Sequence, residues 1–450
     1  MTELSGFPYL EVEFGKRGKL VDGAQVDAVV REFGRLGVTD LIVWSHGWNN
    51  DMDEARDHYK RFATVMRAAA DRHLAGRRVA ILGVLWPSKK FAPEKLTAGG
   101  AASGEAGDKA VLIAQLDALK GAFTDRGADA CLRKAKKLVP GLASPKIQAE
   151  FLELIRAAAV QPKAAKAGDD PEEGSDRGFT IEPKEAFQNL DRPIAPRRRA
   201  SPGAGGAAVA AGSGGGARIA ADSGGAAFNF GDIGRGVFAA AQRLLNFTTY
   251  FQMKERAGLV GRIGVHPVLQ RLRRDLPAMR LHLVGHSFGA RLVTAASSAA
   301  PSQAGATAST MTLLQGAFSH HGFAENYDAG KNGLFRPVVS PGRIGGPILV
   351  SHTDNDTAVG ILYAIVSRLA GQQAAGVGDA NDLYGGIGRN GAVKTPEAEF
   401  GTLGAIDTKY TFKPGKVYNL EAEQFIADHG DVHKPEVANA LAQAIATTGP

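Results

Sequence analysis

The chain of 450 residues has one cysteine, Cys131, three tryptophans and only 7% aromatic residues. A single cysteine excludes a disulfide framework and any zinc site built from several cysteines, and it fits a reducing compartment. No run of about 18 apolar residues occurs, which excludes a membrane-spanning helix. The N-terminal MTELSGFPYLEVEFGKRGKL also has no basic start leading into an apolar stretch and a small-residue cleavage site. The expectation is a soluble, cytoplasmic protein without an integral membrane segment. Charge of one sign is scarce as well: 53 basic against 46 acidic residues leave 53 − 46 = +7. The basic clusters, Lys134 to Lys137, Arg197 to Arg199 and Arg271 to Arg274, are dispersed, so no nucleic-acid footprint is expected. G-x-x-x-x-G-K-[ST], H-E-x-x-H and cysteine-based metal spacings are all missing. Glycine, by contrast, is abundant at 57 residues, almost twice the usual share.

Strand and helix patterns alternate over the first hundred residues, as they do where helices cover a parallel sheet. Tyr9 to Phe14 reads as a strand and Gln25 to Leu36 as an amphipathic helix. Asp40 to Trp44 (DLIVW) and Val79 to Trp86 (VAILGVLW) are apolar enough for strands buried on both faces. Between them a helix from about Asp51 to His73 has an acidic first turn, with Asn50 available as its cap. The alternation stops between Phe91 and Gly231. There, Ala110 to Phe123 and Ala149 to Val160 read as helices, and Pro162 to Pro202 as a polar, proline-bearing stretch. Ser201 to Ala227 is mostly alanine and glycine and is expected to be disordered. Regular patterns resume with an amphipathic helix from Asp232 to Asn246 and a further helical region ending near Leu276. Strands follow at Leu281 to Gly285, Met311 to Gln315, Pro347 to Thr353 and Val417 to Glu421, with helices at Ala290 to Ala300, Thr357 to Leu369 and Pro435 to Ala446. The chain therefore divides into residues 1–91, an insertion at 92–231, and 232–450.

The sharpest local signal is Gly285-His286-Ser287-Phe288-Gly289. G-x-S-x-G alone is weak in a glycine-rich chain, but here an apolar strand runs into it and a helical segment, ARLVTAASSAA, leaves it. A tight strand-to-helix turn of this kind exposes a nucleophilic serine, and the N–H of Phe288 would serve as one oxyanion donor. A serine hydroxyl needs a base, oriented by a carboxylate. After the Pro347 to Thr353 strand stand Asp354 and Asp356, with Asp356 preferred as the acid. Before the last helix stand His429 and His433, with His429, next to glycine, preferred as the base. His352, His320 and His321 sit at strand ends, where they could line a pocket or merely close it. After the Asp40 to Trp44 strand, Ser45-His46-Gly47-Trp48-Asn49-Asn50 offers the N–H of Trp48 as a second oxyanion donor. His46, Asn49, His286 and His320 are the candidate pocket-lining residues. Gly386 to Gly391 spells G-x-G-x-x-G, but no strand pattern precedes it and AVKTPEAEF follows, so it reads as a flexible loop and not a nucleotide site.

HGWNN after an early strand, LWPS at Leu85 to Ser88 and LHLVGHSFGARLV around Ser287 together resemble the α/β-hydrolase superfamily, in particular bacterial members with an HGxN loop and a WPS strand end. The resemblance covers about residues 9 to 91 and 232 to 446. It implies an α/β-hydrolase fold with an eight-stranded, mostly parallel central sheet flanked by helices, an acyl-enzyme mechanism and no cofactor. The large helical and low-complexity insertion before the nucleophile strand departs from the usual lid position. The expected function is hydrolysis of a carboxylic ester, of small-molecule or lipid type, by Ser287, His429 and Asp356. The stripe Phe228, Phe230, Phe247 and Phe251 is a candidate greasy mouth for a lipid. Two alternatives stay open: a non-catalytic binding or scaffolding protein with a partner docked on the insertion, and an acyltransferase using the same constellation.

Overall fold

Apolar runs too short for helices and too continuous for half-exposed strands must be covered on both faces, and the chain meets that demand with a single sheet between helical layers. The computed structural model describes residues 2–88, 105–159, 180–191, 236–298, 307–340, 342–369 and 383–449. In chain order, β1 (Thr2–Leu4), β2 (Phe7–Glu13), α1 (Ala24–Arg35), β3 (Asp40–Ser45), α2 (Met52–His73) and β4 (Val79–Leu85) come first. The described parts of the insertion are α3 (Glu105–Ala118), α4 (Ala128–Leu138), α5 (Pro145–Ala159) and α6 (Pro183–Leu190). Then follow α7 (Val237–Leu259), a π-helical segment (Val260–Val265), α8 (His266–Asp275), β5 (Arg280–His286), α9 (Phe288–Ser298), β6 (Thr310–Leu314), β7 (Ile348–His352) and α10 (Thr357–Leu369). The chain closes with α11 (Ile387–Asn390), β8 (Ala398–Thr402), β9 (Val417–Glu421) and α12 (Pro435–Ala446).

Among the described residues the strands form one nine-stranded sheet in the order β1-β2-β4-β3-β5-β6-β7-β9-β8. Only β1 runs antiparallel, against β2; every other pair is parallel. The two-residue alternation of side chains sorts each strand between two cores. Leu41, Val43, Leu281, Leu283, Met311 and Leu313 face one layer, with α1, α7, α9 and α10. Ile42, Trp44, Ile81, Val284, Leu314 and Leu349 face the other, with α2 and α12. Order reverses at β3: the chain moves outward to β4, then returns to β5 on the other side. At such a switch point the loops leaving the carboxyl ends of neighbouring strands part and open a crevice.

Several elements differ from the sequence reading. Among the described residues the sheet has nine strands, not the eight that the resemblance implies, and two edge strands, Thr2–Leu4 and Ala398–Thr402, both mostly exposed, are not among those expected from the sequence. An edge strand without a buried face carries no apolar alternation to read. Pro183–Leu190, inside the polar stretch, is a helix: proline takes its first turn, and Phe187 and Leu190, three apart, are buried. Ala128–Leu138 is a further helix not anticipated. The helix expected over Asp232 to Asn246 runs instead from Val237 to Leu259 and is buried on nearly every side, Arg243, Lys254 and Arg256 included. The further helical region expected to end near Leu276 is present and continuous with it, through the π-helical segment and α8 to Asp275. Asp51, not Asn50, caps α2, in a reciprocal box with Glu54. Ser201 to Ala227, Phe228 and Phe230 lie outside the described residues. Among the described residues no helix is long and apolar enough to cross a membrane.

The described insertion helices do not stand apart. Leu112, Leu116, Phe151, Ile155, Phe187 and Leu190 belong to the same contiguous core as Phe247, Tyr250, Phe251 and Leu362. Phe247 and Phe251 are therefore buried in packing, at 0% and 5% exposure, and form no open mouth.

Candidate active site

Ser287 occupies the turn between β5 and α9 with φ 57°, a left-handed conformation costing a non-glycine residue about 1–3 kcal/mol. Three backbone hydrogen bonds hold it there. Its N–H donates to Leu314 O at 3.0 Å, and its carbonyl accepts from Ala290 and Ala317, both at 3.1 Å. The flanking glycines are required by contact as much as by conformation. A Cβ on Gly289 would lie 2.1 Å from the Ser45 carbonyl oxygen, and one on Gly285 2.3 Å from that of Gly289. The turn thus packs directly against the end of β3, its partner at the switch point.

Two further segments converge on this serine. Asp356 follows β7 and caps the start of α10: its Oδ1 accepts the Val359 N–H at 3.0 Å, as an N-cap does. Its Oδ2 accepts from His429 Nδ1 at 2.8 Å, and the carboxylate is fully buried. His429 sits in the loop between β9 and α12, with its Nε2 2.8 Å from Ser287 Oγ. That loop is fixed locally by the Gly430 N–H on Asp428 Oδ1 at 2.8 Å. His286, beside the serine, points the other way and donates Nε2–H to the His429 carbonyl at 2.7 Å. Burial, with the like charges of neighbouring histidines, keeps the His286 pKa well below its ordinary value, so it stays neutral and fastens the backbone of His429. For His429 itself, burial pulls the pKa down, but the charge and hydrogen bond of Asp356 outweigh it, and the net displacement is upward from 6.5.

The loop after β3 lies against Ser287. A Cβ on Gly47 would stand 2.8 Å from Ser287 Cβ, so only glycine lets the backbone come this close. Trp48 follows, its ring 5.6 Å from that of Phe288 and 6.0 Å from that of Tyr250. Phe288 opens α9, so its N–H has no acceptor within the helix. Asn49 adopts φ 62° and donates its N–H to Ser88 O at 3.2 Å. Ser88 Oγ accepts the Asn50 N–H at 3.2 Å and donates to Asn50 O at 2.9 Å. The HGWNN and WPS segments are therefore one hydrogen-bonded unit.

Of the residues singled out in the sequence, Ser287, His429 and Asp356 come together, with Trp48 and Phe288 beside them. The rival candidates are engaged elsewhere. His433 Nε2 is 3.3 Å from His58 Nδ1, and the Asp354 carboxylate lies 3.7 Å from Arg389 Nη2. His46 and His320 line no open pocket: they are 1% and 0% exposed. His46 Nε2 accepts the Trp86 N–H at 3.3 Å while its ring stacks on that indole, and burial takes its pKa down to about 4. His320 Nδ1 accepts from Asn390 Nδ2 at 2.9 Å. Asn49 is likewise buried, at 4%.

The G-x-G-x-x-G stretch is no flexible loop. Its glycines allow close packing behind Asp356: a Cβ on Gly388 would lie 2.5 Å from the Gln315 carbonyl carbon, and one on Gly386 2.0 Å from Val359 Cγ1. Gly388 N–H bonds to Gly316 O at 2.9 Å, and Thr353 N–H to Gly388 O at 3.0 Å. Among the described residues no group of three or more His, Cys, Asp or Glu is placed to hold a metal ion. No family model, no curated protein and no solved structure matches the chain.

Proposed function

We propose that this protein is a serine hydrolase of the α/β-hydrolase type that cleaves a carboxylic ester through an acyl-enzyme. The observation that carries the reading is the chain of two 2.8 Å hydrogen bonds, Ser287 Oγ to His429 Nε2 and His429 Nδ1 to Asp356 Oδ2, at a serine held in a left-handed turn. Ser287 Oγ attacks the ester carbonyl and its proton passes to His429 Nε2. Asp356 keeps Nδ1 protonated and stabilises the imidazolium. The N–H groups of Phe288 and Trp48 receive the negative oxygen. His429 then protonates the leaving alkoxide, and a water activated by the same nitrogen releases the acid. No cofactor enters this scheme, and the lone Cys131 agrees with work in the cytoplasm.

The test is labelling by a fluorophosphonate probe, mapped by peptide mass. Wild type should take one label at Ser287, Ser287→Ala none, and His429→Ala should label far more slowly. A well-folded wild type that takes no label would overturn the reading. The pH dependence follows from the histidine. Because only neutral His429 accepts a proton and its pKa is displaced upward, kcat/KM should rise with pH through a midpoint above 6.5. A flat profile between pH 5 and 9 would remove His429 as the base.

A further inference from the structure

Arg256 of α7 is 2% exposed, and among the described residues no carboxylate faces it. Burial alone draws its pKa down to about 10. A buried cation without a counter-ion is costly, and an aliphatic side chain would fill the same space more cheaply. What Arg256 supplies is two hydrogen bonds to two distant segments. Nη1 donates to Pro87 O at 2.8 Å, with Met253 Sδ at 3.5 Å, while Nη2 donates to Ala122 O at 2.5 Å. Nε has no acceptor.

Both ends of this link lead somewhere. Pro87 precedes Ser88, which holds the Asn49 and Asn50 N–H groups and the Asn50 carbonyl, and so fixes the loop whose Gly47 abuts Ser287. Ala122 lies in the turn joining α3 to α4, where Lys16 Nζ also donates to Gly121 O at 2.5 Å and the Gly121 N–H bonds to Asp129 Oδ1 at 2.8 Å. Cations gathered at the turn after α3 suit the negative end of that helix.

We propose that Arg256 is a positioning residue: it fastens the Trp86-Pro87-Ser88 turn, and through it the Trp48 loop, to the α3–α4 hairpin of the insertion. The geometry of the second oxyanion donor is then set in part by the α3–α4 hairpin, which makes that hairpin a support of the site. The proposal rests on the hydrolase reading of Ser287. An oxyanion donor is worth about 10²–10³ in kcat, and displacement of about 1 Å costs on the order of 10²-fold.

Full-length Arg256→Met, Arg256→Lys, Ser88→Ala and the Arg256→Met/Ser88→Ala pair should be compared on p-nitrophenyl butyrate, with kcat expressed per fluorophosphonate-labelled site. Hydrogen exchange of the Asn49 and Asn50 amides is read in parallel. Arg256→Met is expected to lower kcat by roughly 10–100-fold with KM changed less than about threefold. Arg256→Lys, able to reach one carbonyl, should recover part of the loss. The double variant should be no worse than the weaker single, and both amides should exchange faster while those of β5 do not. Per-site kcat and exchange at wild-type values in Arg256→Met, or fully additive losses in the pair, would overturn the proposal. If Arg256→Met does not fold, Arg256→Lys and Ser88→Ala decide by the same two readouts. A wild type that neither labels nor turns over, yet whose amides loosen in the variants, fails the hydrolase reading alone, because exchange reads the fastening without chemistry.

Discussion

Asp356→Asn is expected to cut kcat by about 10⁴-fold, about 5.4 kcal/mol, while leaving the protein folded. Asparagine keeps the oxygen that caps α10 through the Val359 N–H, so the local helix start survives. What changes is the other atom. An amide N–H facing His429 Nδ1 turns the imidazole to the tautomer with its proton on Nε2, and that nitrogen can no longer accept from Ser287 Oγ, 2.8 Å away. Because the Asp356 charge is also what lifts the His429 pKa, the residual activity should titrate at lower pH than wild type. Steady-state kinetics and the rate of fluorophosphonate labelling check both points. A loss below tenfold, with an unmoved pH midpoint, would mean that another group orients the base.

The largest effect on stability is expected far from the site, at the amino end of β3. Asp40 is fully buried and accepts from Arg280 Nε and Nη2, both at 2.8 Å, Arg77 Nη1 at 3.0 Å, and Thr39 Oγ1 at 2.7 Å, with His282 Nε2 at 3.0 Å. Arg77 also donates to the carbonyls of Ile445, Ala446 and Gly449, so the cluster ties the end of α12 to the base of the sheet. Asp40→Ala leaves two arginines uncompensated and should cost about 3–5 kcal/mol, out of a total on the order of 5–15 kcal/mol. In thermal unfolding of a chain of 450 residues this is a drop of roughly 3–5 °C. The pH dependence has a definite sign. Burial would raise the Asp40 pKa, but hydrogen bonds from Arg280, His282 and Thr39 hold it well below its ordinary value of 3.8. A depressed carboxyl pKa gives stability that is complete above the unfolded value and lost as pH falls through the folded one. The gap between wild type and Asp40→Ala should therefore be constant from pH 7 to 5 and narrow only below about 4. A gap already widening as pH falls to 6 would assign part of the effect to His282, whose protonated form Asp40 favours.

By itself the sequence determined the alternation of elements, the tight turn at Ser287 and the choice of His429 and Asp356 as its neighbours, because each left a local trace. Apolar runs such as Asp40 to Trp44 are strands wherever they pack. Glycine beside Ser287 records a backbone contact, and Gly47 records another. Chain order, with an acid and then a histidine each at the end of a strand or before a helix, was enough to prefer Asp356 and His429.

Other features left no local trace, and only the tertiary structure decided them. His46 and His320 looked like pocket residues because they follow strands; which way a side chain turns at a strand end depends on partners such as Trp86 and Asn390, distant in sequence. The exposed edge strand Ala398–Thr402 exists because β9 offers it a ladder. The length of α7 reflects the insertion helices that bury its polar faces. The bonds from Asp40 to Arg280 and from Arg256 to Pro87 span 240 and 169 residues. Contacts of that separation are set by how the chain folds back on itself, and no pattern within a helix or strand encodes them.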